Sequence, residues 1–212
     1  MTDEPITLYS WTTPNGRKAS IALEEMQLPY KAIPVNIVEG EQFDPEFLKI
    51  SPNNKIPAIV DGDFTLMESG AILLYLAQKS GRLLPRYGSD AYWRTLEWLM
   101  WQMGGFGPML GQAHHFLKFN QGKSEYAEER YAAEARRLYR VLDGRLDRHE
   151  FVAGELTIAD IAIWPWVSRF EYQQIDLHEY PAVERWYLQL AERPAFQRGY
   201  AQPLDVGPIP LP

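Results

Sequence analysis

Two strand-to-helix junctions and one proline-opened strand carry residue types that bind charge. Glu68-Ser69-Gly70 stands where an extended run, Thr65-Leu66-Met67, gives way to a helical pattern. At such a junction the Ser69 N–H, its hydroxyl and the positive helix end converge on one point, which suits a carboxylate. Glu68 adds the opposite charge, so the pair fits an α-amino acid carrying both an ammonium and a carboxylate. The alternative is a capping serine beside a solvated glutamate. Thr12-Thr13-Pro14-Asn15-Gly16 occupies the other strand-to-helix turn, where hydroxyl, amide and backbone N–H groups can face one anion. A thiolate is one candidate, and Thr13 can cap the helix as well. Lowering a thiol pKa by two units from about 8.5 takes ~2.7 kcal/mol. Hydrogen bonds to a charged group contribute roughly 1.5–3 kcal/mol each, so one or two donors plus a helix end suffice. In Lys55-Ile56-Pro57 a proline opens a strand without an N–H for the ladder; a trans edge proline and a cis bond turning the backbone outward both fit.

Composition narrows the chemistry. With 0 Cys among 212 residues the chain has no disulfide, thiolate metal site or cysteine nucleophile, so thiol chemistry must bring its own sulfur. Adjacent His114-His115 diverge by roughly 100° on a helix, and with only 4 His in the chain no metal is expected. Asp160 in Thr157-Ile158-Ala159-Asp160 reads as a capping-box partner rather than an acid or base. Tyr9, inside a strand, reads as core rather than as a thiol-activating phenol, and the Trp-rich run from Tyr92 to Trp101 reads first as core. A net charge of −7 repels a phosphate backbone, so nucleic acid is a poor partner. The opening Met1-Thr2-Asp3-Glu4-Pro5 has no basic region and precedes only a short apolar run, which points to a cytoplasmic location. The most continuous apolar stretch, Ala71 to Ala77, falls far short of the roughly 20 residues that span a bilayer, so no membrane segment is expected.

The elements that must position these residues follow from periodicity. Ile6 to Ser10 reads as a strand, Pro14 to Met26 as a helix capped by Thr13, and Tyr30 to Val35 as a second strand. On that helix Ile21, Ala22, Leu23 and Met26 supply a buried side, with Arg17, Lys18, Glu24 and Glu25 on a wet one. Glu46 to Ile50 suits a short helix. Ile56 to Val60 and Thr65 to Met67 flank Asp61-Gly62-Asp63 and predict a hairpin. Ala71 to Lys79 continues as a helix ended by Gly81. Everything beyond looks helical: Ala91 to Gln102, then a break or bend at Gly104-Gly105-Phe106-Gly107-Pro108, an amphipathic helix from Ser124, and helices at Thr157 to Phe170 and Pro181 to Ala191. The pattern predicts a small α/β domain over residues 1–82, a linker at 83–88, an all-α domain over 89–202 and a surface tail, 203–212, with four prolines.

Ser51-Pro52-Asn53-Asn54-Lys55-Ile56-Pro57-Ala58-Ile59, followed by Glu68-Ser69-Gly70-Ala71-Ile72, resembles the glutathione transferase superfamily, whose first domain is thioredoxin-like and whose second is helical. Thr157-Ile158-Ala159-Asp160 resembles that second domain's capping motif. Thr13-Pro14-Asn15-Gly16, the Gly104 to Gln112 stretch and His114-His115-Phe116 are similar to the bacterial Nu class in particular. The resemblance implies that Ile56 holds the cysteinyl backbone of glutathione, that Glu68 and Ser69 hold its glutamyl end, that Thr13 and Asn15 face the sulfur, and that Gln42 and Lys55 contact the tripeptide. Arg130 would reach a second glutathione or the oxidised dimer.

The implied activity is glutathione-dependent disulfide-bond reduction using bound glutathione thiols rather than a protein cysteine, in a homodimer. Glutathione and oxidised glutathione are the implied ligands, with a small disulfide or electrophile as acceptor and no metal. Conjugation to electrophiles, cleavage of glutathione thioethers and a non-enzymatic binding role are the rival readings.

Overall fold

The computed structural model describes residues 4–212; the expected first domain starts at residue 1, and Met1–Asp3 lie outside the described residues. The chain divides into two compact units, one running to Leu84 and taking in Glu192–Ile209, the other made of Pro85–Ala191 and Pro210–Pro212.

In the first unit, strand β1 (Ile6–Ser10) is followed by helix α1 (Pro14–Met26), strand β2 (Tyr30–Pro34), a 3₁₀ turn at Glu41–Phe43 and helix α2 (Pro45–Ile50). The hairpin of β3 (Ala58–Asp61) and β4 (Phe64–Met67) then leads into α3 (Ser69–Ser80). The sheet order is β2-β1-β3-β4. β1 and β2 are parallel, with Ser10 opposite Pro34, whereas β3 runs antiparallel to β1 and to β4, with Ala58 opposite both Tyr9 and Met67. Parallel neighbours need a crossover, which α1 supplies, and a two-residue loop suffices for the antiparallel pair. This is the thioredoxin-like arrangement expected from the sequence.

Period-two alternation sorts β1 onto two faces. Ile6, Leu8 and Ser10 are buried, and Ile21, Leu23, Ile72, Leu73 and Leu76 of α1 and α3 are buried with them. Tyr9 points the other way, into a small cluster with Phe47 of α2, Val35 and Ala58, its ring 6.1 Å from that of Phe47. It is a packing residue, as its place inside a strand implies.

The second unit begins with α4 (Asp90–Trp101), capped by the Ser89 hydroxyl. Where Gly104 to Pro108 predicts a break, the chain widens into a π-helical segment (Gln102–Phe106), continues as α5 (Gly107–His114) and widens again (His115–Phe119). The Gly107 N–H donates to Gln102 O, five residues back. Pro108 falls in the first turn of α5, where its missing N–H is least costly, so the wider π turn absorbs the proline and the helix continues. A Cβ on Gly107 would lie 2.4 Å from Gln102 Nε2 and 3.1 Å from Trp166 Nε1, so only glycine admits those side chains.

Helix α6 (Glu125–Leu146), capped by Ser124, buries Ala135, Leu138, Leu142 and Leu146 at helical spacing. α7 (Ile158–Val167) is buried throughout and α8 (Pro181–Ala191) packs beside it. Asp160 is fully buried and accepts from the backbone N–H of Val152 and Thr157, the Thr157 hydroxyl and Trp186 Nε1. Burial pushes its carboxyl up to about 6 against those four donors, so it is ionised at neutral pH and ties the loop before α7 to α8. Sequence and structure agree on this capping box. The Gln173 amide N–H donates to His114 Nε2 at 3.0 Å, and its amide oxygen takes the Tyr139 hydroxyl at 2.7 Å. Burial lowers the His114 pKa to about 4, which leaves a neutral imidazole inside a buried hydrogen-bond network.

The last helix, α9 (Pro194–Tyr200), has no counterpart in the sequence reading and belongs to the first unit, where it lies along α1. With α3 it accounts for a correction: the side of α1 expected to be wet is covered, with Arg17, Lys18 and Glu25 all buried. The Arg17 guanidinium lies 3.4 Å above the Tyr200 ring and its Nε donates to Tyr200 O. Glu25 takes both forks of Arg193 at 2.6 and 2.8 Å, and Glu24 pairs with Arg198 at 2.6 Å. Charges that look like a solvated face meet partners far along the chain, which local periodicity cannot report. In the tail, Pro210 O accepts from the Tyr187 hydroxyl at 2.6 Å, so that part is pinned rather than trailing.

Helices α1 and α9 approach closely at Gly199, where a Cβ would sit 2.6 Å from the Ile21 Cα. Backbone cannot yield as a flexible side chain does, so Gly199→Ala is expected to cost about 2 kcal/mol. Calorimetry should show the unfolding midpoint lowered by roughly 4–8 °C.

Candidate functional site

The register decides which loops meet. β1 and β2 end together, since Ser10 faces Pro34, and antiparallel β3 begins where β1 ends, since Ala58 faces Tyr9. Met67 faces Ala58, so β4 ends there as well. The turn after β1, the loop after β2, the segment before β3 and the turn after β4 therefore open at one end of the sheet. They carry, in that order, Thr13 and Asn15, Gln42, Lys55 and Ile56, and Glu68 and Ser69. Six of these residues lie within five positions of a strand end here, and Gln42 lies farther along the connection between β2 and α2.

At the first of these turns Thr13 is the N-cap of α1, with extended backbone (φ −100°, ψ 162°), and its hydroxyl accepts the Gly16 N–H at 3.2 Å. Accepting that bond leaves the hydroxyl proton for a further acceptor. Pro14 and Asn15 follow in the first turn, half-buried. A Cβ on Gly16 would meet Trp11 O at 2.2 Å, so only glycine lets the first turn of α1 sit this close to the end of β1.

Gln42 lies in the 3₁₀ turn and its Oε1 is buried with no hydrogen-bond partner among the described residues. Lys55 is exposed, and its backbone oxygen accepts from the Ser51 hydroxyl at 2.8 Å. The Ile56–Pro57 bond is cis, and β3 begins only at Ala58, two residues later than the sequence pattern predicts. Ile56 thus stays out of the ladder pairs that start at Ala58.

Glu68 occupies the N-cap of α3 with φ 72° and ψ 112°, a backbone conformation that costs a non-glycine residue roughly 1–3 kcal/mol and is found where a side chain must be aimed. Its side chain stays exposed while Ser69, the next residue, is only 4% exposed. The Ser69 hydroxyl accepts from the ammonium of Lys18 at 3.3 Å. Lys18 is 1% exposed; burial lowers its pKa to about 7, with the Glu68 carboxylate pulling the other way. Sequence reasoning missed Lys18 by placing it on a wet face, because no local signal ties a residue of α1 to the start of α3.

Two helices, α1 and α3, thus start at the same sheet end, each with a hydroxyl at its positive terminus. Partial charges of about +0.5 at each helix start favour anions there. Arg130 belongs to the other unit, where it is exposed on α6 in an open groove with Met109, Tyr126, Tyr131, Arg137 and Arg140. Among the described residues no group of three or more His, Asp or Glu is placed to hold a metal, and no helix is long and apolar enough to cross a membrane.

Two family models match the chain, the glutathione S-transferase N-terminal domain over residues 4–78 and the C-terminal domain over residues 125–188. The disulfide-bond oxidoreductase YfcG of Escherichia coli (strain K12) is 51% identical over 198 residues, which cover 90% of this chain and 92% of that protein. A glutathione transferase from Pseudomonas putida, solved with one glutathione disulfide bound per subunit, superposes with a TM-score of 0.90 at 43% identity, over 94% of this chain and 92% of that one. A glutathione transferase family member from Pseudomonas fluorescens pf-5, solved with two glutathione bound, gives a TM-score of 0.87 at 46% identity, over 93% and 92% of the two chains. With its thioredoxin-like sheet, its helical second unit and matches along nearly its whole length, the chain belongs to the glutathione S-transferase family.

Proposed function

We propose that this protein is a glutathione-dependent disulfide-bond oxidoreductase in which both reacting thiols come from glutathione. The observation that carries it is a sheet end with two hydroxyl-bearing helix starts in a chain with 0 Cys. Such a site can hold and ionise a thiol but cannot supply one. The names of its relatives agree: one is a disulfide-bond oxidoreductase, and the solved neighbours hold glutathione disulfide or two glutathiones.

Dimensions favour an extended tripeptide. From β1 to β4 is two strand spacings, about 10 Å, and three extended residues span roughly the same length. In this reading the glutamyl ammonium meets Glu68 and its carboxylate meets the Ser69 hydroxyl and N–H at the start of α3. The cysteinyl backbone pairs with Ile56, while Gln42 and Lys55 contact the rest of the peptide. The sulfur then lies over the α1 turn, where the Thr13 hydroxyl and the Asn15 amide donate to the thiolate. Arg130 serves a second glutathione. Along the sequence we place the thioredoxin-like domain at 1–82, the linker at 83–88, the helical domain at 89–202, whose last helix α9 packs into the first unit, and the tail at 203–212, and we read the protein as a cytoplasmic homodimer.

The chemistry is two successive displacements. The bound thiolate attacks one sulfur of the acceptor disulfide, forming a mixed disulfide and expelling the other sulfur as a thiolate that takes a proton. A second glutathione thiolate then attacks the glutathione sulfur of the mixed disulfide. Glutathione disulfide forms and the second acceptor thiolate leaves. Two glutathiones are oxidised by two electrons in total, and one disulfide is reduced. Such exchange is fastest when the attacking thiol's pKa lies near ambient pH, so a few donors serve better than a strongly cationic site.

Turnover of 2-hydroxyethyl disulfide with glutathione tests this. Acceleration of disulfide reduction well beyond any conjugation of an aryl halide is expected, whereas conjugation without disulfide reduction would overturn the assignment. For Asn15→Ala, loss of one hydrogen bond to a charged sulfur predicts a fall in kcat of roughly 10- to 100-fold with glutathione affinity kept within about twofold. An unchanged kcat would take Asn15 out of the mechanism.

A further inference from the structure

Lys18 is a buried cation that the scheme above leaves without a task. Its neighbours on α1 are occupied elsewhere: Arg17 on Tyr200, Glu24 on Tyr30 and Arg198, and Glu25 on Arg193. On α3, Tyr75 and Lys79 both turn to Asp61 of β3, and on β1 Tyr9 packs against Phe47 on the opposite face. The Glu68 carboxylate acts on Lys18, and Lys18 donates to the Ser69 hydroxyl of α3 at 3.3 Å.

An ammonium has three protons and no lone pair, so in that contact Ser69 Oγ is the acceptor. The hydroxyl proton is thereby turned away from Lys18. We propose that Lys18 is a positioning residue for the ligand's glutamyl α-carboxylate: it orients the Ser69 hydroxyl as a donor and places a positive charge beneath the bound anion. This rests on the glutathione reading above and assigns Lys18 a role at its glutamyl end, away from the sulfur.

The sign of the pH dependence follows. With a pKa of about 7 in the unliganded protein, Lys18 is charged well below neutrality and largely neutral above it. A carboxylate arriving beside it favours the ammonium and raises that pKa, so above pH 7 binding must draw in a proton. Affinity is therefore flat at acid pH and declines, by up to about tenfold per pH unit, as pH rises through neutrality.

Calorimetric titration with S-methylglutathione, whose sulfur cannot ionise, reads this directly when run in two buffers of different ionisation enthalpy at about pH 6 and about pH 8. The second ligand is the analogue with 4-aminobutyrate in place of glutamate, which lacks only the α-carboxylate. Wild type should take up a large fraction of a proton on binding S-methylglutathione at the higher pH and none with the analogue. Lys18→Met should weaken S-methylglutathione about tenfold, abolish the uptake and bind the analogue as wild type does. Equal weakening of both ligands would mean a merely structural role, and no weakening would mean none; either overturns the proposal. Should Lys18→Met fail to fold, the wild-type comparison decides alone, with equal uptake for both ligands overturning it. A wild type that binds no S-methylglutathione at all would instead refute the glutathione reading, and Lys18's role with it.

Discussion

The pairing of β3 against β1 is the constraint on which the site depends. Because Ala58 faces Tyr9 in an antiparallel ladder, the segment entering β3 emerges beside the turn leaving β1. Shifting that register by one residue would exchange Ile59, on the face it shares with α1 and α3, for the smaller Ala58 packed among Val35 and Phe47, so the unequal volumes of the two faces fix it. Parallel pairing of β1 with β2, and the short β3-β4 hairpin, then bring the remaining loops to the same edge. The binding groups are far apart in sequence yet adjacent at the sheet end because the hydrophobic alternation of one central strand leaves no other arrangement.

A second dependence runs through α1. This helix separates the sheet from α9 and is buried on nearly every side, although nearly half of its 13 residues are charged or polar in a way that would suit water. Each buried charge costs several kcal/mol unless paired, and the mates of Arg17, Glu24 and Glu25 come from β2 and from the segment between Arg193 and Tyr200. The first unit is therefore incomplete without residues that follow the whole helical region. That also explains why the start of α1, which faces the proposed sulfur position, can be held rigidly: its far side is fixed by bidentate and stacked contacts rather than by solvent.

Much of this was legible from sequence where local chemistry decides the outcome. Thr13-Pro14 starts a helix by capping and by a proline placed where no N–H is needed, and the helix runs from Pro14 to Met26 as the pattern predicts. Asp61-Gly62 forms its hairpin and Thr157 to Asp160 its capping box for equally local reasons. What was not legible depends on partners distant in the chain. The burial of Arg17 and Lys18, the helix at Pro194–Tyr200 and the contact of Lys18 with Ser69 all arise from packing that no periodicity encodes. The π-helical passage through Gly104 to Pro108 is an intermediate case: the residues signal an irregularity, and only the surrounding Gln102 and Trp166 show that it is a widening rather than an end.

The sheet end offers hydroxyls, amides, ions and backbone groups but no thiol, and this has a consequence for how such a protein ages. An enzyme that relies on its own cysteine can be driven up the oxidation ladder to sulfinic and sulfonic acids, from which it does not readily return. Here the vulnerable atom leaves with each product and is replaced from the pool of small molecules. Oxidation of the reacting sulfur is exported with every turnover, so the catalyst cannot lose its nucleophile to the stress it relieves.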